Sequence, residues 1–410
     1  MSILFEPMNI GKMEVKNRFI RSATLENRAK DTGEVTPELV KLYNTLAKGE
    51  IGLIIPGYMY INPLGRGYKY QIGIYNDNLV TGLKKIANTI HQEGGKVAFQ
   101  LIHAGIQTFS RLIGETLIGP SGQILNPLLF EYSREMTEEE IQSSIEDFSN
   151  AAKRAVESGA DAVQLHAAHG YLINQFLSPF YNRRQDKWGG SDENRFRYFK
   201  EIVIKIKKVL PKGMPLLVKL NTNDYTPTEG ITPPLAVKYS EWLTKLRIDA
   251  IEISCGSGFS LFNMSRGDIP IQAIIQAVPD YLKSTAKDLY QEMVGKYDLE
   301  EGYNLETAMM IKPRIGNIPL ILVGGLRSKS FMEEIIKKNM LISYQCHAHL
   351  LKNLFLLKIL RKENKIKLIV FLVIDVLEHY QMIILLSAML ITGQKKKNQH
   401  VIFLNFILLK

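Results

Sequence analysis

Seven short apolar runs punctuate this chain, at residues 18–23, 52–55, 96–101, 162–166, 215–220, 250–254 and 319–323. Each is too short for a stable helix. Each is also apolar on successive positions rather than alternate ones, so both faces of a strand built from it would be buried. That is the pattern of a parallel sheet covered on two sides. Segments with helical spacing lie between the runs, most clearly at 137–158, 192–209 and 328–339. Thr137 and Glu140 stand three apart at the start of the first, as a capping box requires. Strand and helix therefore alternate seven times. The pattern predicts an α/β fold, a (β/α)8 TIM barrel lacking its last unit, with an open doubly wound sheet as the alternative.

In a barrel of this kind, ligands bind where strands end and loops begin. The predicted strand ends are chemically rich. They carry Ala23 and Thr24, then Gly57 and Tyr58, then Gln100 and His103, then His166, His169 and Tyr171, then Lys219 and Asn221, and last Gly324 and Gly325. His166-Ala167-Ala168-His169-Gly170-Tyr171 is the most telling group. Two imidazoles can hold one substrate oxygen and draw electron density toward it, and a phenol two residues on can deliver a proton. A His-x-x-His pair can also be half of a metal site, but no Cys or acidic ligand set stands beside this one, so no metal is expected. A satisfied structural pair is the remaining reading.

Composition adjusts the picture in three places. The 410 residues are 46% apolar, enough for one large domain or two ordinary ones. Cys255 and Cys346 offer no disulfide framework and fit a reducing, cytoplasmic compartment. The first residues show no basic segment followed by an apolar core, so no signal peptide is read there. The formal charge of +10 is concentrated in residues 341–410, which hold 10 of the 51 Lys and Arg but 3 of the 41 Asp and Glu. Residues 1–340 are nearly balanced, at 41 against 38. That distribution argues against a nucleic-acid partner. The longest uncharged run late in the chain, 380–394, is 15 residues and too short to span a membrane.

The strand-end residues together resemble the old yellow enzyme family of FMN-dependent NADH:flavin oxidoreductases and NADH oxidases. Residues 17–26 resemble its first strand, Gln100-Leu101-Ile102-His103-Ala104-Gly105 its third, and residues 166–171 with 174–179 its fourth strand and loop. Asp186-Lys187-Trp188-Gly189-Gly190-Ser191, followed by Glu193-Asn194-Arg195-Phe196-Arg197, resembles its most specific signature. The likeness runs from residue 3 to about 340 and makes that stretch an FMN-binding barrel domain.

The resemblance implies an enzyme using FMN, with NADH or NADPH as reductant and a small-molecule electrophile such as an α,β-unsaturated carbonyl as acceptor. It implies hydride passed through flavin N5 in a ping-pong cycle. It gives Gln100 to the pyrimidine edge of the ring, Lys219 to N1 and O2, and Thr24 to O4. The backbone at Ala23, Gly57 and Tyr58 would approach the ring, and Gly324 and Gly325 would free amides for the phosphate at the next helix. His166 and His169 would bind the substrate oxygen and Tyr171 would protonate the α carbon. A homo-oligomer is compatible with all of this. Two departures stand out. Many relatives have Arg at the Lys219 position, and many have Arg where Ile106 stands.

After Met340 the likeness stops. The family continues with an eighth strand, a phosphate-binding Arg and a closing helix. Here the chain reads Leu341-Ile342-Ser343-Tyr344-Gln345-Cys346-His347-Ala348-His349. A permitted coding of that peptide, read one base earlier, gives Ala-Asp-Phe-Ile-Ser-Met-Ser-Arg-Pro, which supplies the strand and the Arg. Val370, Val373 and Val376 shift to cysteines in the same way, like the family's cysteine-rich continuation. Residues 341–410 therefore read as an out-of-frame tail. The expected consequences are a barrel without its eighth strand, open edges on the first and seventh strands, and, as the alternative function, a remnant that no longer holds FMN stably.

Overall fold

The computed structural model describes residues 2–126, 131–264, 266–267, 269, 271–277, 283–338 and 340–344. All seven expected strands form. They are β1 (Phe19–Arg21), β2 (Leu53–Ile54), β3 (Lys96–Ile102), β4 (Ala162–Ala167), β5 (Leu216–Asn221), β6 (Ala250–Ser254) and β7 (Leu320–Leu322). Neighbours in this order pair in parallel. The helices between them pack outside: α1 (Pro37–Lys48), α2 (Val80–Gln92), α3 (Glu138–Glu157), α4 (Asp192–Val209), α5 (Pro233–Lys245), α6 (Leu305–Ile311) and α7 (Lys329–Lys337). The capping box of α3 forms as expected, with Thr137 and Glu140 each bonding the other's backbone.

The expected gap between β1 and β7 is filled. β8 (Met340–Tyr344) pairs in parallel with both, Ile342 lying opposite Leu322 on one side and Phe19 on the other. The open edges inferred from the sequence are thus corrected: among the described residues, eight strands close a ring. The reason is that a strand slot selects for backbone that can pair on both sides, and Met-Leu-Ile-Ser-Tyr has the β-forming composition to do so. This strand runs across residue 340, where the resemblance read from the sequence stops. The closing helix expected after it lies outside the described residues.

Period-two alternation sorts each strand's side chains between the barrel interior and the helix layer. Val97, Phe99, Leu101, Val163, Leu165, Val218, Leu220, Ile251 and Ile253 point outward into the main core. Ile20, Leu53, Ala98, Ala162, Leu217, Ala250 and Ile321 point inward and form the lowest interior layer. The antiparallel hairpin of Met8–Ile10 and Met13–Val15 closes that end, with Ile10, Met13 and Val15 in the same cluster. Two residues further along the strands, the interior changes character. Ser22, Gln100, Gln164, Lys219 and Glu252 fill the next layer, each 2% exposed or less. No helix among the described residues is long and apolar enough to cross a membrane.

Candidate active site

The polar layer is the floor of the site, and strand register sets its contacts. Gln100 lies opposite Gln164, and Lys219 lies opposite both His166 and Glu252. Gln100 Nε2 donates to Gln164 Oε1 at 2.6 Å, and Gln164 Nε2 donates to Glu252 Oε2 at 2.7 Å. Lys219 Nζ lies 3.3 Å from Glu252 Oε1 and donates to Ser22 Oγ at 3.0 Å, while Ser22 in turn donates to Glu252 Oε1. One acceptor is left over. Gln100 Oε1 is buried without a hydrogen-bond partner, a condition that costs free energy unless a ligand donor meets it.

Above the floor, the end of β4 delivers the histidines. His166 Nδ1 accepts from the Ala168 amide at 3.3 Å, which places its proton on Nε2. Burial, then the neighbouring His169 and the Lys219 cation, holds its pKa well below the usual imidazole value. His166 is therefore a neutral N–H donor at neutral pH. His169 takes a left-handed backbone conformation, with φ of 61°. For a residue with a Cβ this is strained, and three side chains hold it there. Asn221 Oδ1 accepts from the His169 amide, Gln107 Nε2 donates to its carbonyl, and Asn174 Oδ1 accepts from the Gly170 amide. The bend brings the two imidazole centroids to 5.2 Å, and His169 Nε2 lies 2.7 Å from Ser254 Oγ.

Tyr171 completes the group. Its ring centroid is 4.8 Å from that of His166, edge to face. Its hydroxyl donates to Tyr58 Oη at 3.0 Å. Tyr68 hydrogen-bonds both phenols. Burial is the first cause raising all three phenol pKa values, so all are protonated at neutral pH. Thr24 is 6% exposed and donates to Ser22 O at 3.3 Å, beside the equally buried Ala23.

At two expected cofactor positions the protein's own groups crowd the glycines. The Gly57 amide donates to Tyr43 Oη at 2.9 Å, and a Cβ at Gly57 would meet Glu26 Oε2 at 2.0 Å and Thr24 O at 2.9 Å. Glu26, paired with Arg21 at 2.9 Å, and the Thr24 carbonyl together exclude a side chain there. Gly324 O accepts from the Gly302 amide at 2.6 Å, and Gly325 has φ of 64°, so residues 302–304 pack on this turn. At the start of α7, the amides of Arg327 and Ser328 both donate to the Glu301 carboxylate. An anion thus sits at the helix end where the sequence placed the phosphate.

Sequence reasoning missed Gln164, Glu252, Tyr68 and Ser254. Gln164 and Glu252 each lie two residues before a strand-end polar group, on the inward side of a run that reads as uniformly buried. Tyr68 comes from a loop, and no pattern announces its return.

Similarity to known proteins agrees with this geometry. Residues 3–264 match the model of the NADH:flavin oxidoreductase / NADH oxidase family. The chain belongs to that family. Its members are FMN-dependent NAD(P)H oxidoreductases. It is 34% identical to the NADPH dehydrogenase of Bacillus subtilis (strain 168) over 258 residues, 62% of this chain and 73% of that one. Among solved structures, 2-naphthoyl-CoA reductase in complex with 2-naphthoyl-CoA superposes with a TM-score of 0.75 at 26% identity over 88% of this chain, which spans 52% of that longer one. The old yellow enzyme homologue of Zymomonas mobilis gives 0.71 at 22% identity, covering 92% of this chain and 98% of its own, and shares the fold.

Proposed function

We propose that this protein is an FMN-dependent oxidoreductase that reduces an α,β-unsaturated carbonyl or related electrophile with NADH or NADPH. The observation that carries the reading is the cluster of His166, His169 and Tyr171 set directly above a buried polar floor whose Gln100 carbonyl lacks a donor. An isoalloxazine presents such a donor on its pyrimidine edge, so the residues present fit the ring. Gln100 and Lys219 would hold that edge, with Thr24 and Ala23 beside it. When bound, FMN supplies the hydride acceptor and donor that links nicotinamide to electrophile.

The protein's own groups do the rest. Neutral His166 presents Nε2–H to the substrate oxygen. His169 lies close enough to address the same atom once its bond to Ser254 is exchanged. Two donors on one oxygen favour the charge that develops there as the β carbon is reduced, an oxyanion-hole arrangement. Tyr171, protonated at neutral pH, gives its proton to the α carbon. Tyr58 and Tyr68 keep its hydroxyl oriented.

A second reading, a remnant that holds FMN poorly, is favoured by the Glu301 carboxylate at the start of α7 and by residues 341–410, which in the given frame encode no family-like phosphate Arg after β8. One experiment separates the two. The chain as given and a version with the frame restored at the Met340 codon are purified, and flavin absorbance per protein is compared. Yellow protein that turns over an enone with NAD(P)H supports the first reading. A colourless chain beside a yellow frame-restored one supports the second. Colourless protein from both rejects the flavin assignment.

A further inference from the structure

Glu252 is the one carboxylate in the polar layer, and it reaches both groups that face the proposed ring, Lys219 directly and Gln100 through Gln164. One oxygen lies 3.3 Å from Lys219 Nζ and the other accepts from Gln164 Nε2 at 2.7 Å. The consequence for Gln164 is directional. A carboxylate accepts only, so Gln164 must turn its NH2 group to Glu252 and its carbonyl to Gln100. Gln100 must then answer with its own NH2 group, at 2.6 Å. The amide of Gln100 is left with its carbonyl as the unpaired end. A single buried charge two residues away thus decides whether the floor offers an acceptor or a donor. The same charge offsets the Lys219 cation inside a layer where both side chains are 2% exposed or less, so neither is screened by water.

We propose that Glu252 is a positioning residue for the flavin, fixing the acceptor face of Gln100 through Gln164 and setting how much of the Lys219 charge the ring feels. The inference rests on the FMN reading above. It separates into two effects with two variants. Glu252→Gln keeps the shape and removes the charge. Lys219 is then unopposed and favours the anionic reduced ring. Gln164→Met keeps both charges and breaks the orienting link.

The measurements are the redox poise of bound flavin against a reference dye, and FMN affinity by fluorescence quenching, on the full chain. E252Q is expected to raise the reduced-to-oxidised ratio at fixed poise at least about tenfold, equivalent to about 30 mV for a two-electron couple. Q164M is expected to leave that ratio within about twofold and to weaken FMN binding roughly tenfold, because Gln100 is then free to turn. Bound flavin with an unchanged ratio in E252Q overturns the charge role. Should E252Q lose its melting transition, Q164M decides, and unchanged FMN affinity there overturns the inference. A wild-type chain that takes up no FMN, with or without the restored frame, rejects the flavin reading and this inference together. A wild type that binds FMN while both variants behave like it rejects this inference alone.

Discussion

Replacing Lys219 with Met should destabilise the fold by about 3–5 kcal/mol, the usual consequence of leaving one member of a buried pair alone. The structure sets the terms. Lys219 and Glu252 are 2% and 0% exposed, and their charged atoms are 3.3 Å apart. At an effective dielectric of about 20, a pair at that separation interacts by roughly 5 kcal/mol. Without the ammonium, Glu252 keeps the bonds from Ser22 and Gln164, which recover part of this loss. The double variant K219M/E252Q removes both charges and should recover most of the stability, since the pair's attraction mainly repays its own desolvation. The assay is urea unfolding of wild type, both singles and the double, read by circular dichroism. A coupling of about 2 kcal/mol or more is expected. A K219M loss below about 1 kcal/mol, or a double variant as unstable as the two singles summed, would refute the buried pair.

Three further outcomes follow from the site. His166→Ala should weaken phenol and carbonyl ligands by about one to two decades, the worth of a lost hydrogen bond to a charge-bearing oxygen, while flavin occupancy stays constant; absorbance titration with a phenol checks this, and equal affinity sinks the role. Tyr171→Phe should slow reoxidation by an enone about 10²- to 10⁴-fold and leave reduction by nicotinamide unchanged, because only the former needs a proton on carbon; equal slowing in stopped flow rejects Tyr171 as the acid. His103 is buried, and burial lowers its pKa to about 4. The unfolded chain therefore binds a proton that the folded one refuses: stability is intact above about pH 6.5 and falls as pH drops toward 4, by about 3 kcal/mol at most. His103→Gln should flatten the melting temperature over that window, and an unchanged slope would assign the loss to other groups.

The strands were legible because they are short, apolar and continuous, and the helix α3 because Thr137 and Glu140 announce its start. The His166–Tyr171 group was legible because a strand end and three reactive side chains coincide. What the sequence concealed has two physical origins. Gln164 and Glu252 were hidden inside runs that read as uniformly buried, and only the inward half of the alternation separates them from their apolar neighbours. At Gly57 the space for a Cβ is taken by the Glu26 carboxylate and the Thr24 carbonyl, from a segment some 30 positions earlier that no local pattern connects to it. The left-handed bend at His169 is likewise held by Gln107, from the loop after β3, and Asn221, at the end of β5.

The eighth strand shows why closing the barrel and retaining flavin are separate questions. A ring position asks for about five residues of β-compatible backbone, and many sequences satisfy it. Met340–Tyr344 does so with two neighbours paired in register, so the ring no longer argues that this chain folds badly. Anchoring a phosphate asks for one particular cation at one particular place. In the frame given, Gln345-Cys346-His347 follows β8 where the family places that Arg. Losing one charged hydrogen-bond partner costs roughly 1.5–3 kcal/mol, or about one to two decades of affinity. The frame-restored protein should therefore gain far more in flavin occupancy than in melting temperature. Equal FMN affinity in the two proteins would mean that residues 341–410 already supply the anchor, and the frameshift reading would fall.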